Sequence, residues 1–262
     1  MEAPKPLKII WGFPCGASVG SRWLRNAIDF MRKTDRHFIA GPFPADHAGR
    51  LDLARSYLVD IGKVNSDYDW MITYDTSTAF YTQEKDRKEQ LGIKFMTLDF
   101  LMELLEDCRQ KGYDGIGAAG TTEQGLLLVQ ASIEQWSKAN SIEPFEVDGF
   151  AGTIMAFTRR ALDAIEPRSS MTDLGGNQVK LYCHQEKHGT EDFNLCARFR
   201  DTGLRLCVDP RITLGKWREH EQYYDPRDFD RIGNQYREAL LKLQANPQIE
   251  AEEKLEWAKA HP

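Results

Sequence analysis

Apolar positions along the chain follow two rhythms, and most elements can be placed from them. Short apolar runs, several rich in aromatic and β-branched residues, predict strands at Leu7 to Phe13, Arg36 to Ala40, Trp70 to Tyr74, Asp114 to Ala119, Ile154 to Thr158 and Leu204 to Val208. Between them apolar residues fall at helical spacing. Trp23, Ala27, Phe30 and Met31 predict one helix, and Leu51, Ala54, Leu58 and Ile61 predict a second from about Gly49 to Val64. Thr97 caps a third that carries Leu98, Leu101, Leu105 and Cys108 and stops at Gly112. Arg159 to Ile165 is a fourth, and Thr190 caps a fifth with Phe193, Cys196, Ala197 and Phe199 as its apolar side. Strands alternating with helices imply an α/β fold.

The intervening segments carry weaker signals. Gly41-Pro42-Phe43-Pro44 reads as a chain break before the second helix. Gln83 to Gln90 is charged, a solvated loop or short helix, and Thr121 to Ser141 has no clear period. Ser169 to Gly189 is rich in turn formers and predicts a loop. From Pro226 onward the chain is charged and helical, with a stripe of Ile232, Tyr236, Leu240 and Leu243 and a short helix around Leu255 and Trp257. The expected division is a main domain over 1–220 and a helical appendage over 221–262, suited to packing, oligomer contacts or a lid.

Composition narrows the class without naming a function. In 262 residues, 41% hydrophobic and 28% charged side chains describe an ordinary globular chain, and no apolar run approaches the length of a bilayer span. The N-terminus reaches its first strand without the long apolar stretch of a secretory signal, so the expected location is the cytoplasm. A net charge of −6 argues against nonspecific coating of nucleic acid. Five cysteines, an odd number, imply reduced and packed thiols.

Asp75 directly follows the Trp70 to Tyr74 strand, and in an open α/β sheet the ligand crevice lies beyond the carboxyl ends of strands. It is read either as a ligand holder or as a turn residue bonding its own backbone. Arg55 lies off the apolar stripe of its helix and points to solvent or to that crevice. Pro14-Cys15-Gly16-Ala17-Ser18-Val19-Gly20 is a glycine loop between strand and helix, but it fits neither the dinucleotide fingerprint nor the P-loop. The glycines of Asp148-Gly149-Phe150-Ala151-Gly152-Thr153 allow close approach of backbone to a ligand. Glu191 and Asp192 open a helix, where acids are favoured by the dipole whether or not they act on a ligand. Cys183, His184, His188 and Cys196 offer zinc-binding atoms at a spacing that matches no familiar finger. Arg198, Arg200, Arg205, Arg211, Lys216 and Arg218 make a locally basic stretch, either solvated or a contact for DNA.

In this order the Pro14 loop, Ala54-Arg55-Ser56-Tyr57-Leu58-Val59 ahead of Asp69-Trp70-Met71-Ile72-Thr73-Tyr74-Asp75, the Asp148 to Thr153 element and Thr190-Glu191-Asp192 resemble glycosyltransferases of the GT-A fold, particularly short ones common in bacteria and bacteriophages. The resemblance covers roughly residues 7 to 217. It implies a Rossmann-like, mostly parallel sheet flanked by helices, and transfer of a sugar from a nucleotide-diphosphate donor such as a UDP-sugar to an acceptor hydroxyl. It further implies a donor site at Pro14, Arg55, Asp75, Ser77, Gly152, Lys216 and Arg218, with Asp192 as catalytic base and Glu191 as its orienting or acceptor-binding partner. Such enzymes hold Mn²⁺ or Mg²⁺ through an Asp-x-Asp motif and a later His; here Ser77 and Lys216 stand at those positions, and a hydroxyl and an ammonium are poor substitutes for a carboxylate and an imidazole. The expectation is a metal-independent transferase in which Lys216, with Arg55 or Arg218, steadies the leaving diphosphate. The acceptor is a glycan, a small molecule or a modified base in phage DNA. A different class of reading is a non-catalytic nucleotide- or sugar-binding module of the same fold.

Overall fold

A computed structural model describes residues 5–15, 19–46, 50–76, 78–79, 96–118, 129–140, 142–172, 176, 178–184, 190–212, 215–217 and 221–222, with isolated positions from 234 to 241. The strands are β1 (Lys8–Cys15), β2 (Phe38–Asp46), β3 (Trp70–Tyr74), β4 (Thr78–Ala79), β5 (Gly115–Ala118), β6 (Val129–Gln130), β7 (Phe145–Val147), β8 (Gly149–Phe150), β9 (Ile154–Thr158), β10 (Ser169–Thr172), β11 (Gln178–Leu181), β12 (Leu206–Asp209), β13 (Gly215–Trp217) and β14 (Glu221–Gln222). The helices are α1 (Ser21–Arg32), α2 (Leu51–Val64), α3 (Leu98–Gln110), α4 (Ile133–Lys138), α5 (Arg159–Ala164) and α6 (Glu191–Asp201).

Seven strands form one sheet in the order β2-β1-β3-β9-β5-β12-β7, in which β9 and β7 run against the other five. The architecture is the expected α/β, Rossmann-like one. Alternation along the strands explains why it is covered on both faces. Ile9, Trp11, Phe13, Trp70, Ile72 and Tyr74 join the core beneath α1 and α3, whereas Ile10, Met71, Met155 and Phe157 join the core beneath α2, α5 and α6. Phe157 stacks on Phe199 at 4.3 Å, which ties the antiparallel β9 to α6. Among the described residues no helix is long and apolar enough to cross a membrane.

Several expectations need correction. Gly41 to Pro44 do not break the chain: β2 runs through them, with Gly41 at φ 136 and a register shift between Ile10 and Gly12. Because β2 is the edge of the sheet, proline's missing N–H costs it no ladder bond on its open side. Pro14 and Cys15 likewise belong to β1, paired with Ala45 and Asp46. Ser169 to Gly189 contains the β10–β11 hairpin, where Met171, Val179 and Leu181 pack on Leu53 of α2. Ser132 and Gln135 form a capping box at α4, a legible S-x-x-Q signal inside the segment left unassigned. The Gln83 to Gln90 segment lies outside the described residues, and so does the C-terminal appendage apart from β14 and the isolated positions from 234 to 241.

Thr97 caps α3 by accepting the Phe100 N–H at 3.2 Å. Thr97→Ala should therefore lower the unfolding free energy by about 1 kcal/mol, seen as a lower urea midpoint at unchanged slope.

Candidate functional site

The stripe of α2 turns Ala54 and Leu58 into the core and leaves Leu51 40% exposed. Arg55, off that stripe, is nevertheless only 3% exposed, because it enters the space at the carboxyl end of β3 rather than solvent. There its Nη2 donates to Asp75 Oδ1 at 2.9 Å and its Nε to Glu191 Oε1 at 3.0 Å, while Nη1 lies 3.3 Å from the Met155 sulfur. Burial works against the charge of Arg55. The fields of Asp75, Asp192 and Glu191 outweigh it and hold its pKa above the usual arginine value.

Asp192 is fixed by a different set of donors. Its Oδ2 accepts the Gly152 N–H at 2.9 Å, and its Oδ1 accepts the Phe193 N–H at 2.9 Å and the Thr190 hydroxyl. Thr190 does not cap α6 with its side chain as expected; its hydroxyl is spent on Asp192. Gly152 is a necessity of packing, since a Cβ there would sit 1.9 Å from Arg55 Nη2. Asp75 begins a turn closed by Thr78 N–H at 2.9 Å. That turn is bound to β9 through Thr78 Oγ1 to the Thr153 carbonyl at 2.6 Å, and to α1 through Trp23 Nε1 to the Thr78 carbonyl at 2.9 Å. The Thr153 hydroxyl, in a residue 3% exposed, has no hydrogen-bond partner among the described residues.

Residues 55, 75, 152, 191 and 192 thus meet at one end of the sheet. Pro14 shares that end: the β1–β3 register runs as far as Gly12 with Thr73, and Pro14 and Asp75 each lie two residues further on. The backbone of Lys216 pairs with Thr78 across β13 and β4. Ser77 and Arg218 lie outside the described residues. Among the described residues one guanidinium faces three carboxylates, so these four side chains together carry surplus negative charge. Arg55 is already engaged by Glu191 and Asp75 and does not stand open to a diphosphate.

Among the described residues no group of three His, Cys, Asp or Glu side chains could hold a metal ion, and the one carboxylate of the altered Asp-x-Asp, Asp75, is paired to Arg55. For the zinc set, Cys183 lies against Ser56 and the Asp52 carbonyl, and Cys196 against the Phe150 carbonyl. Burial raises both thiols to about 12, so they remain protonated, and His188 lies outside the described residues. The basic stretch is largely compensated: Arg200 pairs with Asp148, Arg205 with Glu146, Arg211 with Asp107 and Asp209, and Arg198 donates to the Glu166 carbonyl.

No family model and no curated protein matches the chain. Among solved structures, the crystal structure of A197 from STIV matches with a TM-score of 0.50 at 16% identity, covering 84% of this chain and 91% of that one. At that identity the likeness is one of fold.

Removing the guanidinium leaves the carboxylate of Glu191 buried without its counter-charge. Arg55→Met should cost about 3–5 kcal/mol in urea unfolding, more than Asp75→Asn at the more exposed partner. Gly152→Ala should cost roughly 1–3 kcal/mol, because the new methyl cannot be accommodated without dislodging Arg55 from its ion pairs.

Proposed function

We propose that the protein is a glycosyltransferase of the GT-A type, moving a sugar from a nucleotide-diphosphate donor to an acceptor hydroxyl. The observation that carries this reading is the meeting of Arg55, Asp75, Gly152, Glu191 and Asp192 at the carboxyl end of β3, where an α/β sheet of this kind opens its ligand crevice. The order of the sequence landmarks and the Rossmann-like architecture support it.

The chemistry sets two demands. As the glycosidic bond to the donor breaks, the leaving diphosphate gains negative charge, and the surplus of carboxylates nearby makes that charge harder to bear. A cation beyond Arg55 is needed. In this reading Lys216 supplies it, on a strand paired to the segment that follows Asp75, with Arg218 two residues later. Asp75, whose side chain is 29% exposed against 6% for Glu191, contacts the donor; Pro14, Ser77 and the backbone at Gly152 complete that side. Glu191 serves by holding Arg55 in place.

The second demand is removal of a proton from the attacking hydroxyl. Three donors reach the Asp192 oxygens, and a carboxylate offers about four acceptor positions. The remaining position takes the acceptor hydroxyl, whose proton passes to Asp192 as the new C–O bond forms. The compensated arginines favour a glycan or small-molecule acceptor over a DNA base.

Burial of Glu191 at 4% and Asp192 at 7% favours a second reading, a binding module that holds a nucleotide or sugar without transferring it. A panel of nucleotide sugars offered with glycans, small-molecule alcohols and hydroxymethylated DNA separates the two. Transfer should release nucleoside diphosphate, survive EDTA, and fall about 100-fold or more in Lys216→Ala. Asp192→Asn should abolish turnover while donor still raises Tm. A Tm shift without product in the wild type would support the binding module, and EDTA-sensitive turnover restored by Mn²⁺ would replace the lysine by a metal.

A further inference from the structure

The ladder between β1 and the edge strand β2 ends on a side chain. Leu7, one residue before β1, turns both of its backbone groups towards β2: its carbonyl accepts the Phe38 N–H at 2.9 Å, and its N–H donates to His37 Nδ1 at 3.2 Å. A continued parallel ladder would send that N–H to the Arg36 carbonyl, and the imidazole takes its place. Leu7 is buried and the His37 side chain is only 1% exposed, so water is no ready substitute for either partner.

A backbone N–H can only donate, so Nδ1 is bare and the ring proton sits on Nε2. That nitrogen is buried and has no hydrogen-bond partner among the described residues. Asp99 Oδ1, on α3, lies 3.6 Å from it, too far for a hydrogen bond, and already accepts the Thr34 hydroxyl at 2.6 Å. Burial is the largest influence on the ring and holds its pKa below the ordinary 6.5; Asp99 and Glu106 on α3 favour the imidazolium, and Arg36 opposes it.

The other charged groups of the adjoining cavity are Lys5, Asp69, Glu103, Asp107 and Arg109. Most of the acids are engaged elsewhere: Asp69 accepts the Lys8 N–H at 2.9 Å, Glu106 accepts Trp70 Nε1 at 2.7 Å, and Asp107 pairs with Arg211 at 2.6 Å. Glu103 faces Arg36 Nη1 at 3.7 Å, and Arg36 Nε is itself buried without a partner among the described residues.

A proton can therefore reach Nδ1 only by breaking the bond to Leu7. The ring would then turn a second N–H against the Leu7 N–H and place a charge in a buried site whose nearby acid is committed to Thr34. We propose that His37 is an acid-sensitive latch at the amino end of the sheet: on taking up a proton it lets go of the Leu7 amide and opens the start of the β1–β2 pairing, while the Arg55 cluster at the opposite end of the strands keeps its arrangement. Within the sheet β2 is paired to β1 alone, which confines the opening to that edge. Closure is whole above pH 6.5. As the pH falls below it, the open ring takes up a proton that the closed ring refuses, and closure weakens about tenfold per pH unit until the closed ring titrates as well.

The test is amide hydrogen exchange by NMR in the full-length ¹⁵N-labelled protein between about pH 7.5 and about pH 5, with rates corrected for the intrinsic pH dependence of exchange. Protection of Leu7 and Phe38 should fall about tenfold per unit below pH 6.5, that of Ile72 and Ile116 inside the sheet should hold, and the ring signals at neutral pH should place the proton on Nε2. His37→Asn, whose Oδ1 can stand where Nδ1 stands without titrating, should keep Leu7 protected at neutral pH and remove the fall. Level protection in the wild type, an equal fall in His37→Asn, loss at Ile72 and Ile116 in step with Leu7, or a ring proton on Nδ1 would each overturn the proposal. Should the variant not fold, the wild-type profile and the ring tautomer decide.

Discussion

A guanidinium in a nearly dry pocket is tolerated only when its charge and its N–H groups are met from several sides. Arg55 is in that position, and the carboxylates that meet it come from the turn after β3 and the first turn of α6. Neither can move away without stranding a buried charge. The demand therefore fixes three distant parts of the chain against each other, and Gly152 completes the arrangement by leaving the guanidinium its space.

Rigidity at this end is reinforced by neutral bonds. The backbone after Asp75 is held to α1 by Trp23 and to β9 by Thr78, and Asp192 is held to the Gly152 backbone. The result is a rigid, acidic cluster with one partly exposed carboxylate at its rim. Among the described residues the surplus of carboxylates over the one guanidinium is a cost in stability that the neutral bonds help to offset.

The two ends of the strands carry contrasting chemistry. At the carboxyl end every polar group of Arg55 and Asp192 described above is engaged within the protein, and the exposed function is an acid. At the amino end the acids are paired internally, and the unmet groups are the N–H donors of Arg36 and His37.

Much of the fold was legible because burial on one face repeats every second residue in a strand and every third or fourth in a helix. Ile9, Trp11 and Phe13 against Ile10, or Leu98, Leu101, Leu105 and Cys108, show this directly. Chain-local chemistry was legible too, as at Thr97, and so was the presence of acids at 75, 191 and 192. The sequence could not show that β2 passes through two prolines, since only its place at the sheet edge excuses them. Nor could it show where Arg55 goes: off the apolar stripe, either solvent or crevice was open to it. That choice, the contact with Gly152 and the unmet donors at Arg36 and His37 arise between residues far apart in the chain. Periodicity records which side of an element is buried, whereas the partner waiting there is decided only when the elements pack.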